Sequence, residues 1–359
     1  MHTILGQSRA VAILQQALRS SRLHHAWIFA GPQGVGKFTT AIEFAKILLE
    51  AESDPSGRAL HLLDEGTHPD LHIIRRDLAP WSANADLRRK KLSNIPVDLL
   101  REHMVGGYSG DRYFEPKVFH SPRLARAKVF IVEEAELLDG HGQNSLLKTL
   151  EEPPAHTYII LITTLPDRLL PTIRSRAQRV SFLPLDDESM REWWERSGLA
   201  ANLSPEMREW IDRFAEGSPG MAAMAIEDRL YEWRGVIEPI MREAERGRFV
   251  PGSGEAIAKV VDEYAKSQQD EDENASKELA NREGARRVFL MLSAHARGRL
   301  RNAVARGNDP QRALRAIDIV RDAERGLGAN VNMKFVFEDL VAQWVQSGAG
   351  MKTIAAGST

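Results

Sequence analysis

The sequence predicts an α/β protein, a parallel sheet sandwiched by helices, with a small helical domain and a third, all-helical domain behind it. Three observations carry this. Short apolar runs rich in β-branched and aromatic residues stand at Trp27–Phe29, Leu71–Ile74, Val129–Val132, Tyr158–Ile162 and Val180–Phe182. They do not alternate strictly with polar residues, as expected of strands buried on both faces. Between the first two, Ala41, Phe44, Ala45 and Leu48 recur at i, i+3, i+4 and i+7, the stripe of a helix packed on such a sheet. After Pro184 the patterns turn helical and no convincing strand follows.

The elements follow in order. Residues 1–183 are expected to form the α/β domain. Asp186, Asp187 and Glu188 place negative charge at the start of a helix, where the dipole favours it. Ser204-Pro205 reads as a capping side chain followed by an N1 proline, and that helix should stop near Gly217. A helical lid is expected at 184–235 and a helical domain at 236–347. In the latter, patterns are strong at Arg286–Val304, Pro310–Gly326 and Met333–Val345, and Gln268–Asn274 reads as an exposed acidic loop or helix end. The small-residue stretch 348–359 is expected to be a flexible tail.

Bulk composition narrows the function classes. Hydrophobic residues make up 43% and charged residues 27% of the 359, a globular profile. Lys and Arg number 48 against 50 Asp and Glu, so the net charge of −2 argues against an autonomous nucleic-acid binder. Cysteine is absent, which excludes disulfides and thiolate zinc sites. No apolar run approaches the ~20 residues of a membrane span, and Met1–Gly6 is not a secretory leader, so a cytoplasmic protein is expected.

Gly31-Pro32-Gln33-Gly34-Val35-Gly36-Lys37 lies between a predicted strand and a predicted helix. Such a loop aims backbone N–H groups and a helix N-terminus at phosphate oxygens. Gly31, Gly34 and Gly36 let the backbone close, and Lys37 would reach the β- and γ-phosphates. The alternative is a glycine-rich turn with an incidental lysine. The pattern then requires Ser or Thr to hold magnesium, and this chain has Phe38. Thr39 is the nearest hydroxyl, but one helical step turns it by ~100°. At the end of the third predicted strand, Glu133 and Glu134 stand where P-loop ATPases keep their acidic pair, with Glu133 in place of the usual aspartate. A solvated charge pair is the alternative there.

The run Lys128-Val-Phe-Ile-Val-Glu-Glu-Ala-Glu-Leu-Leu138, with Asn144-Ser-Leu-Leu-Lys-Thr-Leu-Glu-Glu-Pro-Pro154, resembles the bacterial clamp-loader subunits of DNA polymerase III. That resemblance implies a RecA-like AAA+ domain, a helical lid and a helical collar that joins subunits. It covers residues 1–230 well and the last ~30 fairly. Leu161-Ile-Thr-Thr164 looks like the sensor-1 strand, with Thr164 as the polar probe. Leu170-Pro-Thr-Ile-Arg-Ser-Arg-Ala177 resembles the Ser-Arg-Cys motif, so Arg176 would be an arginine finger acting in a neighbour's ATP site, with Arg174 as helper or decoy. Gly66-Thr-His-Pro-Asp70 survives from the family's zinc-bearing region, but His61, His68 and His72 would not rebuild a zinc site. Gly217-Ser-Pro-Gly-Met221 resembles the sensor-2 segment without its arginine.

Phe38, Glu133 and the missing sensor-2 arginine each remove an element of hydrolysis, while the finger motif persists. The resemblance therefore implies the delta-prime branch of the family: a stator that needs no cofactor, whose loop keeps the means to bind ATP or ADP without expected turnover. Its partners would be gamma/tau and delta subunits, with the sliding clamp and primer-template DNA in the complex, and no membrane. A gamma/tau-like motor or another AAA+ ATPase is the alternative, and a free-standing DNA-binding protein a third. The stretch Asp77–Arg126 departs from relatives, and its Arg88-Arg89-Lys90-Lys91 is read as a solvated loop.

Overall fold

Among the described residues, five of seven strands coincide with the five apolar runs: β1 Ala26–Ala30, β2 Leu71–Ile74, β3 Gly107–Ser109, β4 Arg112–Phe114, β5 Lys128–Val132, β6 Thr157–Thr163 and β7 Gln178–Ser181. The first, second, fifth, sixth and seventh form one parallel sheet in the order β2-β5-β6-β1-β7. The computed structural model describes residues 4–20, 23–49, 57–89, 94–271, 276–328 and 332–348. The chain divides into two compact units, residues 1–198 with 217–220, and residues 199–216 with 221–359.

In the first unit the sheet has two apolar faces. Strand periodicity sends Ala26, Ile28, Phe130, Val132, Ile159 and Leu161 to one face, and Trp27, Phe29, Val129, Ile131, Ile160 and Ile162 to the other. Helices α1 Ser8–Arg19, α2 Lys37–Leu48 and α3 Arg58–Asp64 bury Leu14, Phe44 and Leu63 on the second face. After the short α4 Ala85–Arg89, helices α5 Val97–Leu100, α6 Gly140–Glu151 and α7 Pro171–Arg174 cover the first face with Leu99, Leu146, Leu150 and Ile173. The helix α6 ends before Pro153-Pro154, where proline could not continue the backbone ladder. Helix α8 Asp187–Ser197 starts as expected, the Asp186 carboxylate accepting from Ser189 N at 2.8 Å.

Asp70 ties the sheet to the chain returning from residue 122. Its buried carboxylate accepts three backbone N–H groups, from Arg123 and Leu124 at 2.7 Å and from Ala125 at 2.8 Å. The divergent stretch between them is folded. A 3-10 turn at Arg76–Trp81 leads into α4, and α5 runs on into a π turn at Arg101–Val105 and the β3–β4 hairpin. Arg88 and Arg89 end α4 rather than lying in a loop, because Arg88 Nη1 donates to Ser82 O at 2.7 Å and Ala83 O at 3.2 Å. Lys90 and Lys91 lie outside the described residues.

The second unit is helical. It comprises α9 Pro205–Ala215, most of α10 Pro219–Glu227, α11 Leu230–Glu245, α12 Ser253–Glu271, α13 Lys277–Ala305, α14 Gln311–Gly328 and α15 Met333–Gly348. Ser204 Oγ caps α9 by accepting from Met207 N, and the helix ends through Glu216 in the left-handed region beside Gly217. Residues 268–271 of the acidic stretch belong to α12. Residues 272–275, 329–331 and the tail 349–359 lie outside the described residues. The helix α13 begins nine residues before the expected Arg286, capped by Ser276, since Ala280 and Gly284 continue the buried stripe through a polar segment. A charged network crosses this unit: Arg287 pairs with Asp228 at 2.6 Å and Glu283 at 2.8 Å.

Candidate functional site

A parallel sheet gathers the ends of its strands at one edge. Because β1 lies beside β6, and β6 beside β5, the loop after Ala30, the polar pair at Thr163–Thr164 and the acidic pair after Val132 emerge together. Three of the sequence-predicted features therefore converge: the glycine loop, Glu133 with Glu134, and Thr164.

The loop is braced through its carbonyls. Lys37 Nζ donates to Gly31 O at 2.8 Å and to Pro32 O. Ser218 Oγ donates to Gln33 O at 2.8 Å, and Gly220 N to Gly34 O at 2.9 Å. Gln7 Nε2 donates to Val35 O at 3.0 Å, and Thr40 meets Gly36 O through both its N–H and its hydroxyl. Among the described residues, the N–H groups of Gly34, Val35 and Gly36 have no acceptor. Backbone donors left facing outward beside the N-terminus of a twelve-residue helix make a receptor for anionic oxygen.

Two glycines are needed for that shape. A Cβ on Gly31 would stand 2.4 Å from Phe182 O. A Cβ on Gly220 would stand 2.8 Å from Gly34 Cα, so the sensor-2-like segment approaches the loop too closely for any side chain at that position.

The residues after Lys37 do not supply a metal-facing hydroxyl. Phe38 packs against the apolar cluster of Trp27, Phe29 and Phe44. Thr39 faces solvent, and the Thr40 hydroxyl is used on Gly36 O. Lys37 is buried, and desolvation lowers its pKa to about 8 against the opposing pull of Glu136 and Glu133.

The carboxylates at the end of β5 are shared among several partners. Arg75 lies 3.9 Å from Glu133, and Arg76 3.3 Å from Glu134, which adopts φ 51°. Burial raises the pKa of Glu133, with Arg75 opposing and Glu134 reinforcing. Glu136, which sequence reasoning passed over, is the carboxylate that engages the sensor-like residue. Its Oε1 accepts from Thr164 N at 3.0 Å and Thr164 Oγ1 at 2.5 Å, while its Oε2 is buried without a partner. Burial pushes its pKa up, but the Thr164 hydrogen bonds outweigh that and hold it below the usual value. The only signal in the sequence was a third acid in Glu133-Glu-Ala-Glu136.

Arg176 stands elsewhere. It precedes β7, whose Gln178 is in register with Trp27, whereas the glycine loop follows Ala30. In a parallel pair this puts the start of β7 at the entry edge of the sheet, about four residues or ~13 Å of strand from the loop at the exit edge, with Arg176 two residues before that start. Its guanidinium pairs with Glu151 at 2.9 Å and donates to Thr172 O at 3.1 Å, and Arg174 pairs with Asp167 at 2.8 Å.

The histidines are separately engaged: His61 beside Glu65, His68 accepting from Asp70 N, and His72 stacked on Phe130. Among the described residues no group of three or more His, Asp or Glu could hold a metal ion, and no helix is long and apolar enough to cross a membrane.

A strand, a phosphate-loop turn and a helix within a β2-β5-β6-β1-β7 parallel sheet, with acids at the end of the neighbouring strand, define a RecA-like AAA+ fold. Residues 6–186 match the family described as DNA polymerase III, delta subunit, and the chain belongs to that family. It is 35% identical over 188 residues to DNA polymerase III subunit gamma/tau of Mycobacterium bovis, covering 52% of this chain and 29% of that protein. It is 28% identical over 233 residues to DNA polymerase III subunit delta' of Bacillus subtilis, covering 64% of this chain and 62% of that one. The chain thus spans between about a third and three fifths of these relatives' lengths. A gamma-subunit-related DNA polymerase III protein of Thermotoga maritima, solved at 2.00 Å, aligns with 95% of this chain and 100% of its own at 17% identity and a TM-score of 0.44.

Proposed function

We propose that this chain is a delta-prime-type, stator-like clamp-loader subunit: it lends Arg176 to the ATP site of a neighbouring gamma/tau-type subunit and turns over no ATP itself. The observation that carries this reading is the position of Arg176 at the sheet edge opposite the chain's own phosphate-loop turn. A guanidinium there serves phosphoryl chemistry only on another subunit, where it stabilises transition-state charge without moving a proton. Its ion pair with Glu151 involves two half-exposed groups, so exchanging that partner for a phosphate costs little.

The chain's own loop supports the second half. Its outward N–H groups and Lys37 fit a phosphate, whereas Phe38 offers magnesium nothing. ATP or ADP would be held by Gly31, Gly34, Gly36 and Lys37, with Glu133, Glu134 and Thr164 at its far end. The partners are then gamma/tau and delta subunits, with the sliding clamp and primer-template DNA acted on by the assembly.

The test is Arg176→Ala in a complex reconstituted so that the adjacent motor site is the single competent one. Loss of DNA-stimulated turnover by about 10³-fold or more is expected for a finger, and unchanged turnover refutes the role. A gamma/tau-like motor remains the second reading, favoured by the 35% identity to the mycobacterial subunit. Brisk, Lys37-dependent hydrolysis by the isolated chain would establish it in place of the first.

A further inference from the structure

The divergent stretch between β2 and β5 presents aromatic rings to solvent. Trp81 is 85% exposed, Tyr108 65% and Tyr113 52%, far above what large rings show when they serve a core. Tyr108 and Tyr113 face each other across the β3–β4 hairpin, with ring centroids 5.3 Å apart in an edge-to-face arrangement.

These rings are held in place from below. Glu102, buried in the π turn, accepts from Ser82 Oγ at 2.6 Å, from Ala83 N at 3.1 Å and from Ser109 Oγ. One carboxylate therefore fixes both the residue after Trp81 and the residue after Tyr108. Two guanidiniums are fastened at the same place, Arg88 on Ser82 O and Ala83 O, and Arg101 on Tyr108 O at 3.1 Å. Residues 77–126 hold nine Lys or Arg against six Asp or Glu, in a chain whose overall balance is negative.

The geometry points to a binding platform for single-stranded DNA on this stretch, with Trp81, Tyr108 and Tyr113 stacking bases and Arg88 and Arg101 meeting phosphates. The exposed Trp81 ring and the exposed faces of the Tyr108–Tyr113 pair, bordered by cations, suit bases, which all offer a π face whatever their sequence. A protein partner would instead be expected to find an aliphatic floor between the rings, and the hairpin's floor is the polar Glu102–Ser109 contact. Asp111 and Glu115 also face solvent on the hairpin, so binding is weak and strongly salt-dependent. The platform is independent of the phosphate-loop turn; the choice of DNA over RNA alone rests on the function proposed above.

The test is fluorescence anisotropy of labelled oligo-dT with the full chain at low and moderate salt, with oligo-rU and duplex DNA alongside. Binding of oligo-dT in preference to duplex is expected. Each of Trp81→Ala, Tyr108→Ala and Tyr113→Ala should weaken it by about five- to 150-fold. Tyr108→Phe and Tyr113→Phe should retain it, which separates stacking from a folding defect. No oligo-dT binding, alanine variants that bind like the parent, or binding of oligo-rU alone would each overturn the proposal. None of these outcomes bears on Arg176.

Discussion

Replacing Glu102 by alanine tests whether the divergent stretch is a built element. The carboxylate is 4% exposed and accepts three donors, the Ser82 hydroxyl, the Ala83 N–H and the Ser109 hydroxyl. Hydrogen bonds to a charged acceptor contribute about 1.5–3 kcal/mol each. The two hydroxyls can rotate toward other acceptors, whereas the Ala83 N–H is left without one, so the sum is not additive. A loss of about 2–4 kcal/mol is expected, together with faster amide exchange at Ala83 and in both hairpin strands. Urea unfolding of the full chain reads the first, and hydrogen exchange reads the second locally, which matters in a chain of two units. A cost below about 1 kcal/mol, or unchanged protection of Ala83, refutes the reasoning. The pH dependence has a definite sign. Burial alone would raise the Glu102 pKa, but the hydrogen bonds from Ser109, Ser82 and Ala83 outweigh it and hold it below the ordinary 4.5. Its contribution is therefore complete above the unfolded value and disappears as pH falls through the folded one. Glu102→Gln should flatten that acid limb.

Two further outcomes concern the phosphate-loop turn. Gly220→Ala inserts a methyl 2.8 Å from Gly34 Cα and should cost about 1–3 kcal/mol; an unchanged melting temperature would show the approach to be looser. Lys37, with its pKa lowered to about 8, is charged below that pH and neutral above it, so the affinity for sulfate, whose own charge is constant there, should fall as pH rises from 7 to 9. A flat calorimetric profile over that range would refute the shift.

The sheet was legible because its strands are covered on both faces, which leaves unbroken apolar runs such as Val129–Val132. The helix start at Ser204 was legible because capping is local chemistry, and the one at Asp186 through the acids that suit a helix dipole, though its capping bond was not read. The β3–β4 hairpin was missed although its two-residue Gly110-Asp111 turn is a hairpin signal, since strands of three residues carry no periodicity. Glu136 was illegible for a different reason. It acquires its role by reaching Thr164, twenty-eight residues away in sequence, through the pairing of β5 with β6. The opposition between Arg176 and the glycine loop likewise exists only once β7 is placed in parallel beside β1.

Six consecutive carbonyls, from Gly31 to Gly36, already have donors drawn from Lys37, Ser218, Gly220, Gln7 and Thr40. An arriving phosphate would find the backbone of its seat finished, with only the Lys37 ammonium, which donates to Gly31 O and Pro32 O, left to turn toward it. Occupancy then has no loose backbone through which to announce itself to the rest of the first unit.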